Sequence, residues 1–379
     1  MIQSIQKVNF NQKTVLVRCD FNVSINERGE VVDDLRIRIA IPTIDKIIND
    51  GGKVVLLSHA SKEMGLGILR PILEKLLSRK VFFLKNFNVS KIKAADFGSI
   101  FLLENLRFYD GEEKNDKHFA KTLASLGDSY VNEAFSVSHR SHASVVSLAE
   151  MLPHYAGLNL LQEVKMISKI KKEPWRPLVA IIGGAKVSSK IKVVEYFINQ
   201  ADHLLLGGKV ANEILVVKGI SLNQPWPDEA IVKEIEKVEL TSPKIHLPVD
   251  VLIAPLYGGD CFRVGAPGQV RMDENIFDIG PETIKLYSEI IKNAKMIIWS
   301  GPLGLFEKKE FEKGTREIAQ AIALNHRALS IVGGGDTGVA ITKFNLKESI
   351  DHFSTGGGAL LEFITGRELP GLKAIGYEN

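Results

Sequence analysis

A glycine-rich turn that ends in a carboxylate suits an anion together with its cation, and the chain carries one at 331–337, I-V-G-G-G-D-T. Its three glycines strip the turn of side chains and leave backbone N–H groups accessible. Asp336 adds a hard oxygen ligand beside them. The pairing fits a phosphate-bearing ligand and its Mg²⁺. The device recurs as G-G-A-K at 183–186 and S-T-G-G-G-A at 354–359. One such turn is only a turn. Three of them at expected strand ends indicate a phosphate-handling α/β enzyme.

Cationic and polar residues follow other apolar runs in the first half. Asp20 and Asn22 come after V-L-V-R-C, His59 after V-V-L-L-S, and Arg107 after F-L-L-E-N-L. Arg140 and His142 lie in S-H-R-S-H-A-S, and Arg36 sits in D-D-L-R-I ahead of a helix. Any one arginine is ordinarily a solvated surface charge, and Asp or Asn after a strand ordinarily serves a turn. Together at one sheet edge they read as a pocket for a small, multiply anionic substrate, because guanidinium forks grip phosphate and carboxylate bidentately. In the second half, Lys186 and Lys190 stand four residues apart at a helix start, on one face beside the positive end of its dipole. W-S-G-P-L-G-L-F-E at 299–307 ends in Glu307, which suits the hydroxyls of a ribose as well as it suits a helix cap.

These groups need strands and helices to hold them. Short apolar runs recur at 15–17, 54–57, 101–103, 179–182, 204–206, 297–299 and 330–332, with segments of helical period between them, including 41–49, 188–199 and 315–324. Ile191, Val194 and Ile198 supply a core-facing stripe in the second of these helices. Continuous apolar strands alternating with helices imply parallel sheets covered on both faces. At 379 residues the chain exceeds one ordinary core, so two domains are expected. K-I-K-K-E-P-W-R-P at 169–177 is the natural break, ending a connecting helix that starts near Gly157. Each half then holds a ligand at the carboxyl ends of its strands, and a cleft brings the two ligands together.

Composition excludes other classes. Net charge is +3 and aromatic content 7%, which leaves neither the basic field nor the stacking platform of a nucleic-acid protein. No run approaches the roughly 20 apolar residues of a membrane span, and no signal peptide is evident. Cys19 and Cys261, far apart among apolar neighbours, are expected in the core and unpaired, in a reducing cytoplasm. No G-x-x-x-x-G-K-[ST] is present, so the chain is not a P-loop NTPase. G-G-G-D-T-G at 333–338 formally satisfies the dinucleotide pattern, which keeps an NAD-dependent oxidoreductase as an alternative. Against it, no acidic residue stands at a strand end about 20 positions on.

The blocks D-F-N, D-D-L-R-I, L-L-E-N-L-R-F, H-R-S-H-A-S, G-G-A-K-V-S, G-P-L-G-L-F-E, G-G-G-D-T and S-T-G-G-G-A follow one another from residue 20 to 359. In this order the chain resembles the phosphoglycerate kinase family. The resemblance implies reversible phosphoryl transfer between 1,3-bisphosphoglycerate and ADP, giving 3-phosphoglycerate and ATP. It implies an α/β fold of two Rossmann-like lobes, each a parallel sheet with helices on both faces, joined by a hinge helix and closing about it. Residues 1–165, joined by the tail 365–379, would bind 3-phosphoglycerate through Asp20, Asn22, Arg36, His59, Lys62, Arg107 and Arg140. Residues 166–364 would bind Mg-nucleotide through Gly184, Ala185, Lys190, Glu307, Gly334, Gly335, Asp336 and Thr337, with Asp336 the metal contact. Arg36, Lys186 and Lys190 would be catalytic, and Gly356 and Gly357 would form the loop at the transferring phosphate. A monomer in the cytoplasm is expected, with no nucleic acid or membrane partner.

The chain departs from the family pattern in five places. Lys62 stands where an arginine is usual, so a point charge replaces a bidentate fork. Lys209 and Ile276 occupy glycine positions, Ser189 an aspartate position and Ser300 an asparagine position. The four changes on the nucleotide side bear on base preference, ADP affinity and rate, and with Lys62 they raise a further alternative, a weakened relative kept as a binding protein.

Overall fold

The computed structural model describes residues 2–26, 28–221, 223–239, 241–257 and 261–378. By internal contact the chain divides into two compact units, Met1–Lys165 with Gly366–Asn379, and Met166–Thr365. The helix Leu158–Lys172 crosses that division in sequence.

In the first unit six parallel strands form one sheet: β1 (Thr14–Arg18), β2 (Lys53–Leu57), β3 (Val81–Leu84), β4 (Ile100–Leu103), β5 (Ser129–Asn132) and β6 (His154–Ala156). Their spatial order is β3-β4-β2-β1-β5-β6. Val15, Val17, Val54, Leu56 and Leu102 pack on one face against Ile44, Ile47 and Ile48 of the helix Ile41–Asn49. Alternate residues Leu16, Val55 and Phe101 are also buried. Burial on both faces explains why these strands are continuous apolar runs. The strands following β1 are laid down first on one side of it and then, from β5, on the other, which places the ends of β1, β2 and β5 around a topological switch point. The tail returns to this unit, where Gly371 donates its N–H to the Ser138 carbonyl at 2.8 Å.

The second unit repeats the plan. β7 (Leu178–Ile182), β8 (His203–Leu206), β9 (Ile245–His246), β10 (Val251–Pro255), β11 (Arg263–Gly265), β12 (Glu274–Ile279), β13 (Met296–Ser300), β14 (Leu329–Gly333) and β15 (His352–Ser354) make two sheets. One is parallel, ordered β15-β14-β13-β7-β8-β9, and the other is a three-stranded antiparallel sheet ordered β11-β10-β12. Trp299, Ile297, Val179 and Ile181 pack with Tyr287, Ile291, Ile318 and Ile322 of the helices Pro281–Lys292 and Lys313–Leu324.

All seven expected strands form, as do the three helices. Two local expectations change. Cys261 is exposed, and only Cys19 lies in the core. In the helix Val187–Gln200 the buried stripe runs through Lys190, Ile191, Val193, Val194 and Phe197, with Ile198 only partly covered. The antiparallel sheet was not foreseen, because β11 and β12 interleave charged and apolar residues too irregularly to read as strands.

Candidate functional site

In the first unit the polar residues gather past β1, β2, β4 and β5. Asp20 follows β1 and accepts from Arg36 Nη1 at 2.7 Å, and Ser136, past β5, also donates to it. Arg36 reaches the Asn22 carbonyl at 3.1 Å as well. It lies within a short helix, Leu35–Arg38, ahead of the helix Ile41–Asn49. Arg107 Nη1 donates to the Ala60 carbonyl at 3.2 Å, and its Nε lies 3.2 Å from Glu113. Lys62 pairs with the same Glu113 at 3.0 Å. Arg140 is half-buried, and partial burial together with neighbouring Arg107 lowers its pKa. A dense positive field results, with Glu113 as its exposed counter-ion.

Arg18, inside β1, holds a buried polar network that the strand pattern concealed. It is fully buried, and donates to Ser144 Oγ at 2.7 Å, to the Cys19 carbonyl, and to His59 Nδ1 at 3.0 Å. Ser144 passes the interaction on to Glu112 at 2.6 Å. A guanidinium has no acceptor, so Nδ1 of His59 must accept and its ring proton sits on Nε2. Burial first, then Arg18, hold His59 far below the usual histidine range. Burial and Arg18 likewise bring His142 down to about 4. The signal was available: an arginine inside an apolar strand has to find buried partners.

In the second unit the glycine turns follow β7, β8, β13 and β14. Gly183 accommodates the β13 turn only because it has no side chain, since a Cβ would stand 2.3 Å from the Pro302 carbonyl oxygen. Gly334, at φ 104°, turns the chain into the helix Gly335–Lys343 in a conformation other residues rarely adopt. Thr337 locks two turns together by accepting from Gly301 N–H at 2.8 Å and donating to the Gly333 carbonyl at 3.2 Å. Gly356 bonds back to Ser354 Oγ at 3.1 Å, while Gly357, at φ 44°, caps the helix Gly358–Ile364.

Lys186 and Lys190 do not form an exposed pair. Lys186 is the exposed N-cap residue of Val187–Gln200, whereas Lys190 is buried and donates to Ser300 Oγ. Ser300 therefore has a defined partner. Burial lowers Lys190 to about 8, with Asp336 opposing the shift and Lys186 adding to it. Ser189 is exposed and its hydroxyl donates to the Lys186 carbonyl at 3.0 Å.

A cleft of about 580 Å³ within this unit is lined by Gly184, Ala185, Gly208, Lys209, Glu307 and Asp336, among others. Helices beginning at Val187, Gly208 and Gly335 follow β7, β8 and β14 and so bring their positive ends to one sheet edge. Among the described residues no three His, Cys, Asp or Glu side chains gather to hold a metal by themselves. Exposed Asp336 beside these N–H groups fits a hard cation that brings its remaining oxygens from a bound phosphate chain. No helix among the described residues is long and apolar enough to cross a membrane.

A family model described as phosphoglycerate kinase matches residues 5–367. The phosphoglycerate kinase of Herpetosiphon aurantiacus is 40% identical, with 98% of each chain covered. The structure of phosphoglycerate kinase from Coxiella burnetii superposes with a TM-score of 0.85 at 37% identity, covering 99% of each chain. That of Pyrococcus horikoshii phosphoglycerate kinase gives 0.87 at 31% identity, covering 99% of this chain and 98% of the other.

Proposed function

The chain belongs to the phosphoglycerate kinase family, a phosphotransferase with a carboxyl acceptor, and we propose how its residues divide the transfer between 1,3-bisphosphoglycerate and ADP. Asp20, Asn22, Arg36, His59, Lys62, Arg107 and Arg140 bind 3-phosphoglycerate. Gly184, Ala185, Lys190, Glu307 and Gly334 to Thr337 bind Mg-nucleotide. The observation that carries this division is the separation of chemistries: a basic cluster at the edge of one parallel sheet, and glycine turns with Asp336 and Lys190 at the edge of the other.

The acceptor carboxylate is ionised at neutral pH, so the reaction needs no general base. Alignment and positive charge on the transferring oxygens suffice. Asp20 orients Arg36, which together with Lys186 meets the transferring group, and the turn at Gly356 and Gly357 offers backbone N–H groups to it. His59 presents Nε2–H to the substrate as a fixed neutral donor. Lys190 neutralises phosphate from a buried position. Asp336 would hold a Mg²⁺ that arrives with the nucleotide, and the ion would supply charge neutralisation at the phosphate oxygens. The enzyme is read as a monomer, and its two unpaired thiols accord with the cytoplasm.

The NAD alternative is set aside by the family match, which spans residues 5–367. A coupled assay with 3-phosphoglycerate and ATP tests the reading, and Mg²⁺-dependent turnover is expected. Binding of both ligands without turnover would instead identify a weakened relative.

A further inference from the structure

The nucleotide cleft has one wall that the phosphate chemistry does not use. Lys209, Asn212, Glu213 and Val216 line it from one face of the helix Gly208–Val217. The start of that helix lies against the phosphate turn, because a Cβ on Gly208 would sit 2.8 Å from Gly184 N. At a rise of about 1.5 Å per residue, Glu213 stands roughly a sugar's length along the axis from that point. A base belongs there.

Glu213 is unusual for such a place. Its Oε1 lies 3.3 Å from Lys209 Nζ, and its side chain is only 12% exposed. Its Oε2 is buried and accepts no hydrogen bond among the described residues. An ionised acceptor with no donor is costly, so its presence needs an explanation. Burial, foremost, and the nearby Asp228 raise the Glu213 pKa, and Lys209 opposes the shift. Beside it, the Lys209 side chain is 62% exposed and has N–H groups to give.

We propose that Lys209 and Glu213 read the base, and that this cleft prefers a 6-oxopurine nucleotide, guanine foremost, to adenine. The inference rests on the nucleotide assignment made above. Guanine presents O6, N1–H and a 2-amino group in a row. The ammonium donates to O6 while the carboxylate accepts from N1–H and the amine. Adenine turns an N1 lone pair toward the carboxylate and offers only its 6-amino group. Hypoxanthine keeps O6 and N1–H but lacks the amine. The wall is not free to adapt. Asn212 Nδ2 is committed to the Ile276 carbonyl at 3.3 Å, and the Ile276 side chain packs with Val251, Ile253 and Val270.

Calorimetry with Mg-GDP, Mg-IDP and Mg-ADP on the full chain tests this, alongside kcat/KM for GTP and ATP. GDP is expected to bind at least tenfold more tightly than ADP, with IDP between them. Glu213→Gln and Glu213→Ala should each remove most of that advantage, by weakening GDP and relieving the repulsion of adenine N1. Lys209→Met should weaken GDP and IDP together. Tighter ADP binding by the unaltered chain, or a GDP to ADP ratio indifferent to both Glu213 variants, overturns the base reading and leaves the nucleotide assignment intact. Failure of every nucleotide to bind overturns both.

Discussion

Arg18 Nη2 stands 3.0 Å from His59 Nδ1, with both side chains buried at the edge of the first sheet. The pairing fixes a neutral imidazole with its proton on Nε2, because only the histidine can accept. It also gives stability a pH dependence. In the unfolded chain His59 titrates near 6.5, while in the folded protein burial and then Arg18 hold it far lower. Below about pH 6.5 the unfolded chain therefore binds a proton that the native state refuses. Stability is complete above that pH and falls as pH drops, by about 1.4 kcal/mol per pH unit for one such group. Denaturant unfolding at pH 7.5 and 5.5 reads the slope. Histidine NMR resonances should show no titration of His59 down to pH 5, and a midpoint above 6 would refute the pairing.

Arg36 leans on Asp20 at 2.7 Å, with the arginine side chain 31% exposed and the aspartate 7%. A guanidinium so held needs little reorganisation to meet negative charge on a transferring group. Arg36→Ala should lower kcat by about 10²-fold or more, with a much smaller change in substrate KM, as expected of a contact strongest in the transition state. Steady-state kinetics with 3-phosphoglycerate and ATP decide this, and near-normal turnover would remove Arg36 from the transfer step.

Lys190 is brought down to about 8 by burial. Its charge, and with it the attraction for phosphate, is therefore lost as pH rises through that value. kcat/KM for Mg-nucleotide should decline above about pH 8. The decline in kcat should come at higher pH, since bound phosphate restores the ammonium. Lys190→Arg keeps the charge and should abolish the break. A profile of the unaltered enzyme that stays flat to pH 9.5 contradicts the role.

What could be read from the chain follows from which interactions are local. V-V-L-L and V-A-I-I spell buried parallel strands because both faces are covered, and I-V-G-G-G-D-T declares its turn through glycines, of which Gly334 holds a φ of 104°. Arg18 stayed hidden because its partners are His59, 41 positions away, and Ser144, 126 positions away. No spacing rule reaches so far. Glu113 escaped for the same reason: its partners Arg107 and Lys62 fold onto it from a short helix and a separate loop. Strand β11, R-V-G, is three residues of an antiparallel edge and has no period of its own to detect.

Asp336 is exposed at the start of the helix Gly335–Lys343, with no ion pair among the described residues to compete for it. Asp336→Asn exchanges a hard anionic ligand for a neutral amide. Mg²⁺ should then no longer tighten nucleotide binding. Affinity for 3-phosphoglycerate should be unchanged, because its proposed ligands all belong to the other unit. Calorimetry of each ligand on the full chain measures both, and loss of 3-phosphoglycerate binding would show that the two residue sets had been assigned wrongly.

Lys62 and Arg107 meet the same carboxylate, Glu113, at 3.0 and 3.2 Å. The Lys62 hydrogen bond, foremost, holds the Glu113 pKa below the usual glutamate value. An ammonium shared in this way reaches substrate as a single point charge, whereas a guanidinium could keep Glu113 with one edge and grip a carboxylate or phosphate with the other. Lys62→Arg should therefore lower KM for 3-phosphoglycerate about fivefold, the scale of one added charge-assisted hydrogen bond of about 1 kcal/mol, and leave kcat nearly unchanged. Glu113→Gln should act in the same direction by releasing both cations from their counter-ion. Initial rates at varied 3-phosphoglycerate and saturating nucleotide give the comparison. If KM rises in both variants, Glu113 is positioning these cations for the substrate and not competing with it.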